Sequence, residues 1–240
     1  MMKRELIFSL TLLMIVLSSC GEDEKPTGEL YFDFEVATQD LNLGSNYELG
    51  TANTLARVDI AQFYVSNLTL IAADGTEYSF GDHYLLKPSN NVIAIGELTE
   101  GDYTTLRFNV GVDPSVNHND PSELPEADVL SPQNPSMNWN WQGGYRFVRI
   151  DGRIDSDASG DVSDEDDAFE MHVGLDDYYR TVEIPYEFEA IAGDEINLSL
   201  VVDLGVLFDF DLSAKPVTHT GMVNDFHDGV ASSIPSAFSR

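Results

Sequence analysis

Two segments bring together residue types that bind soft metals or undergo oxidation. The first is Met137-Asn138-Trp139-Asn140-Trp141-Gln142-Gly143-Gly144-Tyr145, which holds both tryptophans of the chain one residue apart beside a glycine pair. The second is Phe169-Glu170-Met171-His172-Val173-Gly174. On a strand successive side chains alternate, so Trp139 and Trp141 share a face and His172 points away from Met171 and Val173. Imidazole is a ligand for copper, zinc, iron and nickel, and thioether or aromatic neighbours without a thiolate favour copper among these. Taken alone, a strand histidine is more often a hydrogen-bonded structural residue. The clustered tryptophans turn the reading toward a built site.

A third segment carries hard oxygen donors. Counting from Asp155, oxygen-bearing side chains stand at positions one, three, five, nine and twelve (Asp155, Asp157, Ser159, Ser163, Asp166), with Asp161 at seven and Gly160 at six. This is the spacing of an EF-hand calcium loop, in which the glycine permits the sharp turn. Position twelve is Asp rather than the bidentate Glu, and both flanks read as strands, so flanking helices are not expected. Two readings stand side by side: a weak calcium site and a solvated acidic hairpin loop.

The elements that must position these residues are strands. Period-two alternation recurs at Leu30 to Val36, Val58 to Leu70, Tyr84 to Leu86, Val92 to Ile95, Tyr103 to Val110, Tyr145 to Ile150, Phe169 to Val173, Val182 to Phe188 and Ile196 to Val202. Ala73-Asp74-Gly75-Thr76 marks a hairpin turn. No helical period is sustained over three turns outside the first residues. Between Gly111 and Gln142 the alternation stops in a segment rich in Pro, Asn and Asp that ends on the tryptophans, and loops of this length are functional or disordered. The expected fold is all-β: a single-domain antiparallel β-sandwich with a long irregular loop.

The first residues read as an export signal: a basic start with Lys3 and Arg4, an apolar run from Leu6 to Leu17, then Leu17-Ser18-Ser19-Cys20. The small residues before Cys20 are similar to a bacterial lipobox, which would make residues 1–19 a signal peptide, Cys20 the lipidated N-terminus, 20–28 a flexible tether and 29–240 the domain. Cys20 is the only cysteine, so the mature chain holds no intramolecular disulfide and no thiolate metal site. The formal charge is −30 and becomes −31 when Lys3, Arg4 and Glu5 leave with the signal. Such a surface repels nucleic acid and anionic lipid and concentrates cations, so membrane contact is expected through the lipid alone. The location implied is the outer membrane, with the acidic stretch Glu22-Asp23-Glu24 open to reading as a surface-export signal or a solvated linker.

At this point the chain resembles the MbnP-like copper-binding proteins, related to the copper-repressible surface proteins of methane oxidisers. The resemblance rests on Phe63-Tyr64-Val65-Ser66-Asn67-Leu68 before the Asp-Gly hairpin, Gly101-Asp102-Tyr103 leading to Phe108-Asn109-Val110-Gly111-Val112-Asp113, Asn117, Met137-x-Trp139-x-Trp141-x-x-Gly144-Tyr145, Gly152 and Phe169-x-x-His172-x-Gly174. It implies a copper site of histidines and an oxidised tryptophan: Trp139 or Trp141 converted to kynurenine by a di-haem peroxidase of the MauG type, with His172 as a histidine ligand. Indole nitrogen carries its lone pair in the ring system, whereas the kynurenine amine can donate one. Some relatives place a histidine in the W-x-W motif where this chain has tryptophan. The second histidine is therefore open among His118, His83, His219 and His227, with His118 preferred because it lies in the irregular segment.

No Gly-x-Ser-x-Gly, His-Glu-x-x-His or phosphate-binding glycine loop is present, so binding rather than catalysis is expected. The leading expectation is a lipid-anchored copper-handling protein. Its alternative is a carbohydrate- or protein-binding module that uses Trp139, Trp141 and Tyr145 as an exposed aromatic platform without metal.

Overall fold

The computed structural model describes residues 27–37, 43–88, 92–140, 143–214 and 225–240. Cys20, Trp141 and His219 lie outside the described residues, as do the side chain of His227 and the rest of residues 1–26.

Alternating apolar residues become strands that bury one face. In chain order they are β1 (Thr27–Ala37), β2 (Asn46–Leu49), β3 (Thr54–Ala72), β4 (Glu77–Leu86), β5 (Val92–Thr99), β6 (Gly101–Val110), β7 (Asn138–Asn140), β8 (Gly144–Ile154), β9 (Asp167–Gly174), β10 (Arg180–Ala190), β11 (Glu195–Asp203) and β12 (Phe238–Ser239). One sheet has the order β12-β11-β1-β5. The other runs β10-β6-β3-β8-β7, with β2 and β4 also on β3 and β9 on β8. Phe238 of the first sheet meets Phe63 and Phe108 of the second edge-to-face at centroid distances of 5.8 and 5.4 Å, which locates the sandwich core. The β-sandwich expected from the alternation is the observed fold.

Three details depart from the expectations. Thr27 and Gly28, assigned to the tether, already belong to β1; a Cβ on Gly28 would stand 2.8 Å from the Asp194 carbonyl, so the strand starts inside the packed sheet. The β1–β11 pairing is parallel. A helix is also present where none was expected: α2 (Asp225–Ala237) follows the short α1 (Leu204–Leu207) and contains Gly229, Ser232, Ser233 and Pro235, poor helix formers whose weak signal hid it. Its formation is tertiary, because Val230, Ala231, Ile234 and Ala237 are all buried in the main core.

The longest strand, β3, sets the two faces of its sheet. Ala61, Phe63 and Val65 point into the core, so Gln62, Tyr64 and Ser66 point outward. Asn67, at φ +52°, lies within a register shift, after which Leu68 and Leu70 regain the core face. The outward face is not wet. Residues 112–137 fold back over it and build a second apolar cluster of Tyr64, Leu85, Val112, Leu130, Met137, Tyr145 and Phe147.

Candidate metal centre

The W-x-W segment is seated by residues on both sides of it. Asn117, fully buried at the start of the covering segment, accepts the Tyr145 N–H at 2.9 Å and donates to Asp176 Oδ1 at 2.8 Å. Gly144, at φ +75°, is required there, since a Cβ would come within 2.7 Å of Asn117 Oδ1. Upstream, β7 pairs with the first residues of β8, and Arg149 Nη1 donates to the Ser136 carbonyl at 2.7 Å while Arg146 Nη1 donates to the same oxygen. The Trp139 ring then lies against Gly174, where a Cβ would stand 2.4 Å from Cζ3, and the Arg146 guanidinium sits 5.5 Å from its centroid. The conjunction of Trp139 and Gly174 in the sequence is thus a steric pair.

Beside this ring the cross-strand register sets Gln62, Arg149 and His172 in one row over β3, β8 and β9. Val148, Ile150, Met171 and Val173, which alternate with them, are in the core, so the row faces the covered side. His172 is 2 % exposed, and its Nε2 lies 2.6 Å from Asp151 Oδ1. Arg149 Nη2 approaches Asp151 Oδ2 at 2.6 Å, and Glu170 Oε2 stands 3.9 Å from His172 Nδ1. Burial opposes ionisation of Asp151, yet the hydrogen bonds from His172 and Arg149 outweigh it and hold the carboxyl below its ordinary range. Burial and the neighbouring Arg149 together pull the Arg146 guanidinium down from its ordinary value. The alternation expected for His172 is observed; its burial was not expected.

Gln62 Oε1, Trp139 Nε1 and Arg146 Nε are buried and have no hydrogen-bond partner among the described residues. Buried polar atoms without partners cost about 1–3 kcal/mol each, and folds concentrate such costs at sites of function. Asp151, Arg149, Arg146 and Gln62 escaped the sequence reading. The legible signal was Arg149-x-Asp151 on one strand face, which shares its register with His172-x-Glu170.

The other histidines go to different partners. His118 Nε2 is 3.3 Å from Asp176 Oδ2, just past the end of β9. His83, on β4, accepts the Asp113 N–H at 3.4 Å and lines a surface concavity. Among the described residues no group of three His, Cys, Asp or Glu side chains that includes a histidine converges on one point. Tyr145 cannot serve in an exposed aromatic platform. It is 2 % exposed, donates its phenol to the Leu130 carbonyl at 2.7 Å and meets Tyr64 edge-to-face at 5.6 Å.

The acidic loop forms a hairpin connection between β8 and β9. Carboxylate oxygens of Asp155, Asp157 and Asp166, positions one, three and twelve, lie within 4.8 Å of one another. Gly160 at position six has φ +84° and donates its N–H to Asp155 Oδ2. Asp166 accepts the N–H groups of Ser163 and Ser156 at 2.8 and 3.0 Å, the chief reason that its carboxyl is held far below its ordinary value. The other expected donors turn elsewhere: Ser159 Oγ donates to the Asp161 carbonyl, Ser163 Oγ to Asp166, and Asp161 Oδ1 accepts from Asn46 at 2.6 Å.

Comparison with known proteins agrees with this architecture. A solved structure, MbnP from Methylosinus trichosporium, superposes with a TM-score of 0.55 at 20 % identity over 83 % of each chain, a likeness of fold. No match was found among curated protein sequences. The family model for MbnP matches residues 25–224, most of the 240-residue chain and all of the strands that build the covered face, and the chain therefore belongs to the MbnP family.

Proposed function

We propose that this protein is a non-catalytic copper-binding lipoprotein, tethered through Cys20 to the outer membrane, with His172 as a ligand and an oxidised tryptophan as its neighbour. The observation that carries the reading is the buried Trp139 Nε1, which has no acceptor among the described residues and belongs to the ring seated on Gly174, two residues along the same strand face from His172. That nitrogen is the atom that becomes the aniline-type amine when tryptophan is opened to kynurenine. The amine so formed carries a lone pair that it can donate to a metal, which the indole nitrogen cannot do. Asp151 holds His172 Nε2, the arrangement by which carboxylates orient metal-binding imidazoles, so Nδ1 would be the ligating nitrogen if copper bound here. Trp141 is the alternative site of modification, and His118, which meets Asp176, is the proposed second histidine.

The oxidation calls for a partner, a di-haem peroxidase of the MauG type. Co-expression with such an enzyme is expected to add the mass of one tryptophan-to-kynurenine conversion, mapped to the peptide containing Trp139 and Trp141. The product is expected to retain Cu(I) against a competing chelator, with retention lost in His172→Gln. An unmodified chain that also fails to hold Cu(I) would overturn the reading in favour of a metal-free binding module.

A calcium role for the acidic loop rests on the convergence of Asp155, Asp157 and Asp166. Three carboxylates this close repel one another, and a divalent cation relieves that repulsion. Extracellular calcium modules bind at about 0.1–1 mM, so 10 mM calcium is expected to stabilise the fold by roughly 1.5–2.5 kcal/mol. In thermal unfolding that is a rise of about 5 °C, absent with magnesium and absent in Asp157→Ala. A transition unmoved by calcium would leave the loop as a solvated hairpin.

A further inference from the structure

The covering segment leaves a concavity of about 440 Å³ on the outer side of the sheet, lined by Val116, Leu124, Val129, Leu130 and Tyr145 with His83, Asn119 and Asp128. Its volume is within the range of small-molecule sites, and its walls mix apolar side chains with polar ones. A loop that merely crossed an apolar wall would collapse onto it. Here the strap 126–131 is held off by defined bonds: Tyr64 Oη donates to the Val129 carbonyl at 2.9 Å and Tyr145 Oη to the Leu130 carbonyl at 2.7 Å. Asp128 Oδ1 accepts the Leu130 N–H at 2.8 Å, and Ser131 donates back to Asp128 and Glu126. Both phenols are kept neutral by burial, which raises Tyr145 to about 12 and Tyr64 further. They therefore stay hydrogen-bond donors across the whole accessible pH range, and the strap keeps its shape.

Charge then selects the occupant. Among the described residues Asp128 is the sole acidic one in the lining and no Lys or Arg lines the concavity, and the chain as a whole carries −30. The geometry points to a binding site for a small organic cation, an apolar or aromatic body bearing an ammonium group that pairs with Asp128 while the body lies on Val116, Leu124 and Tyr145. This goes beyond the copper reading and needs no metal.

The test uses the full chain without copper and two probes of similar shape and opposite charge, tryptamine and indole-3-acetate, followed by ligand-observed NMR and calorimetry. Tryptamine is expected to bind with a Kd on the order of 1 mM or below, the affinity reached by ligands of this size, and at least about tenfold tighter than indole-3-acetate. Asp128→Asn keeps an acceptor for the Leu130 N–H and is expected to abolish the preference. Val116→Trp fills the concavity and is expected to weaken tryptamine about tenfold or more while the unfolding midpoint stays within a few degrees. Absence of binding, equal binding of the two probes, or tryptamine binding unaffected by Val116→Trp in a folded protein would each overturn the assignment. The last of these would reveal diffuse attraction to the acidic surface. Copper retention is measured separately, so failure here leaves the metal reading untouched and the converse also holds.

Discussion

Gly174→Val is expected to lower stability by about 3 kcal/mol and the thermal midpoint by roughly 10 °C. The Cβ that valine adds would stand 2.4 Å from both Trp139 Cζ3 and the Tyr145 carbonyl oxygen. One of these is main chain and cannot swing aside, so the Trp139 ring must leave its seat or β8 must part from β9. Calorimetry reads the first effect; a red-shifted tryptophan emission reads the displacement of the ring into water. Gly174→Ala introduces the same Cβ and is expected to share much of the loss, which separates steric exclusion from side-chain size. A valine variant with the parent's midpoint and emission would show that the ring is not held on Gly174, and the proposed site would lose its wall.

Asp151→Asn is expected to cost about 2–4 kcal/mol at neutral pH. It leaves Arg149 and His172 with a neutral acceptor in a place where both are largely removed from solvent. The sign of the pH dependence follows from the lowered carboxyl. A carboxyl whose folded pKa lies below its unfolded value contributes stability above the ordinary carboxylate value of about 3.9, and that contribution fades as pH falls through the folded value. Parent and variant should therefore differ most at pH 6–8 and converge at acid pH in urea unfolding. The same variant is expected to weaken Cu(I) retention by about ten- to a hundredfold, since the imidazole loses the group that orients it. Equal stability of the two proteins across this range would show that the Asp151 ion pair contributes nothing to the fold.

The route from residues to site was uneven, and the reasons are physical. Strand alternation is local, and the segments read from it, from Leu30 to Val202, are strands in the structure. The Asp74-Gly75 turn closes β3 onto β4 because Gly75 takes φ +86°, a conformation that glycine adopts without steric cost. The hairpin character of the acidic loop was equally legible, because its flanks alternate and Gly160 sits where the turn needs it. Helix α2 was not legible: glycine, serines and a proline suppress local propensity, and only burial against the sheets repays the ordering of the backbone.

For the site, residue types singled out Trp139, Trp141 and His172, and the resemblance set Gly174 beside them. Alternation also placed His172 on the face opposite Met171 and Val173. What alternation could not say is whether that face is wet or dry. The tertiary structure decides this by laying residues 112–137 over it, an event that depends on Asn117 reaching Asp176 and Tyr145 from across the fold. The same covering removes Tyr145 from any exposed platform, while His172 is buried and Trp139 Nε1 has no acceptor among the described residues. Chemistry-bearing residue types and strand periodicity are properties of short stretches of chain and are written there. Burial, ionisation and partnership arise from contacts between stretches far apart in sequence, and only the folded molecule contains them.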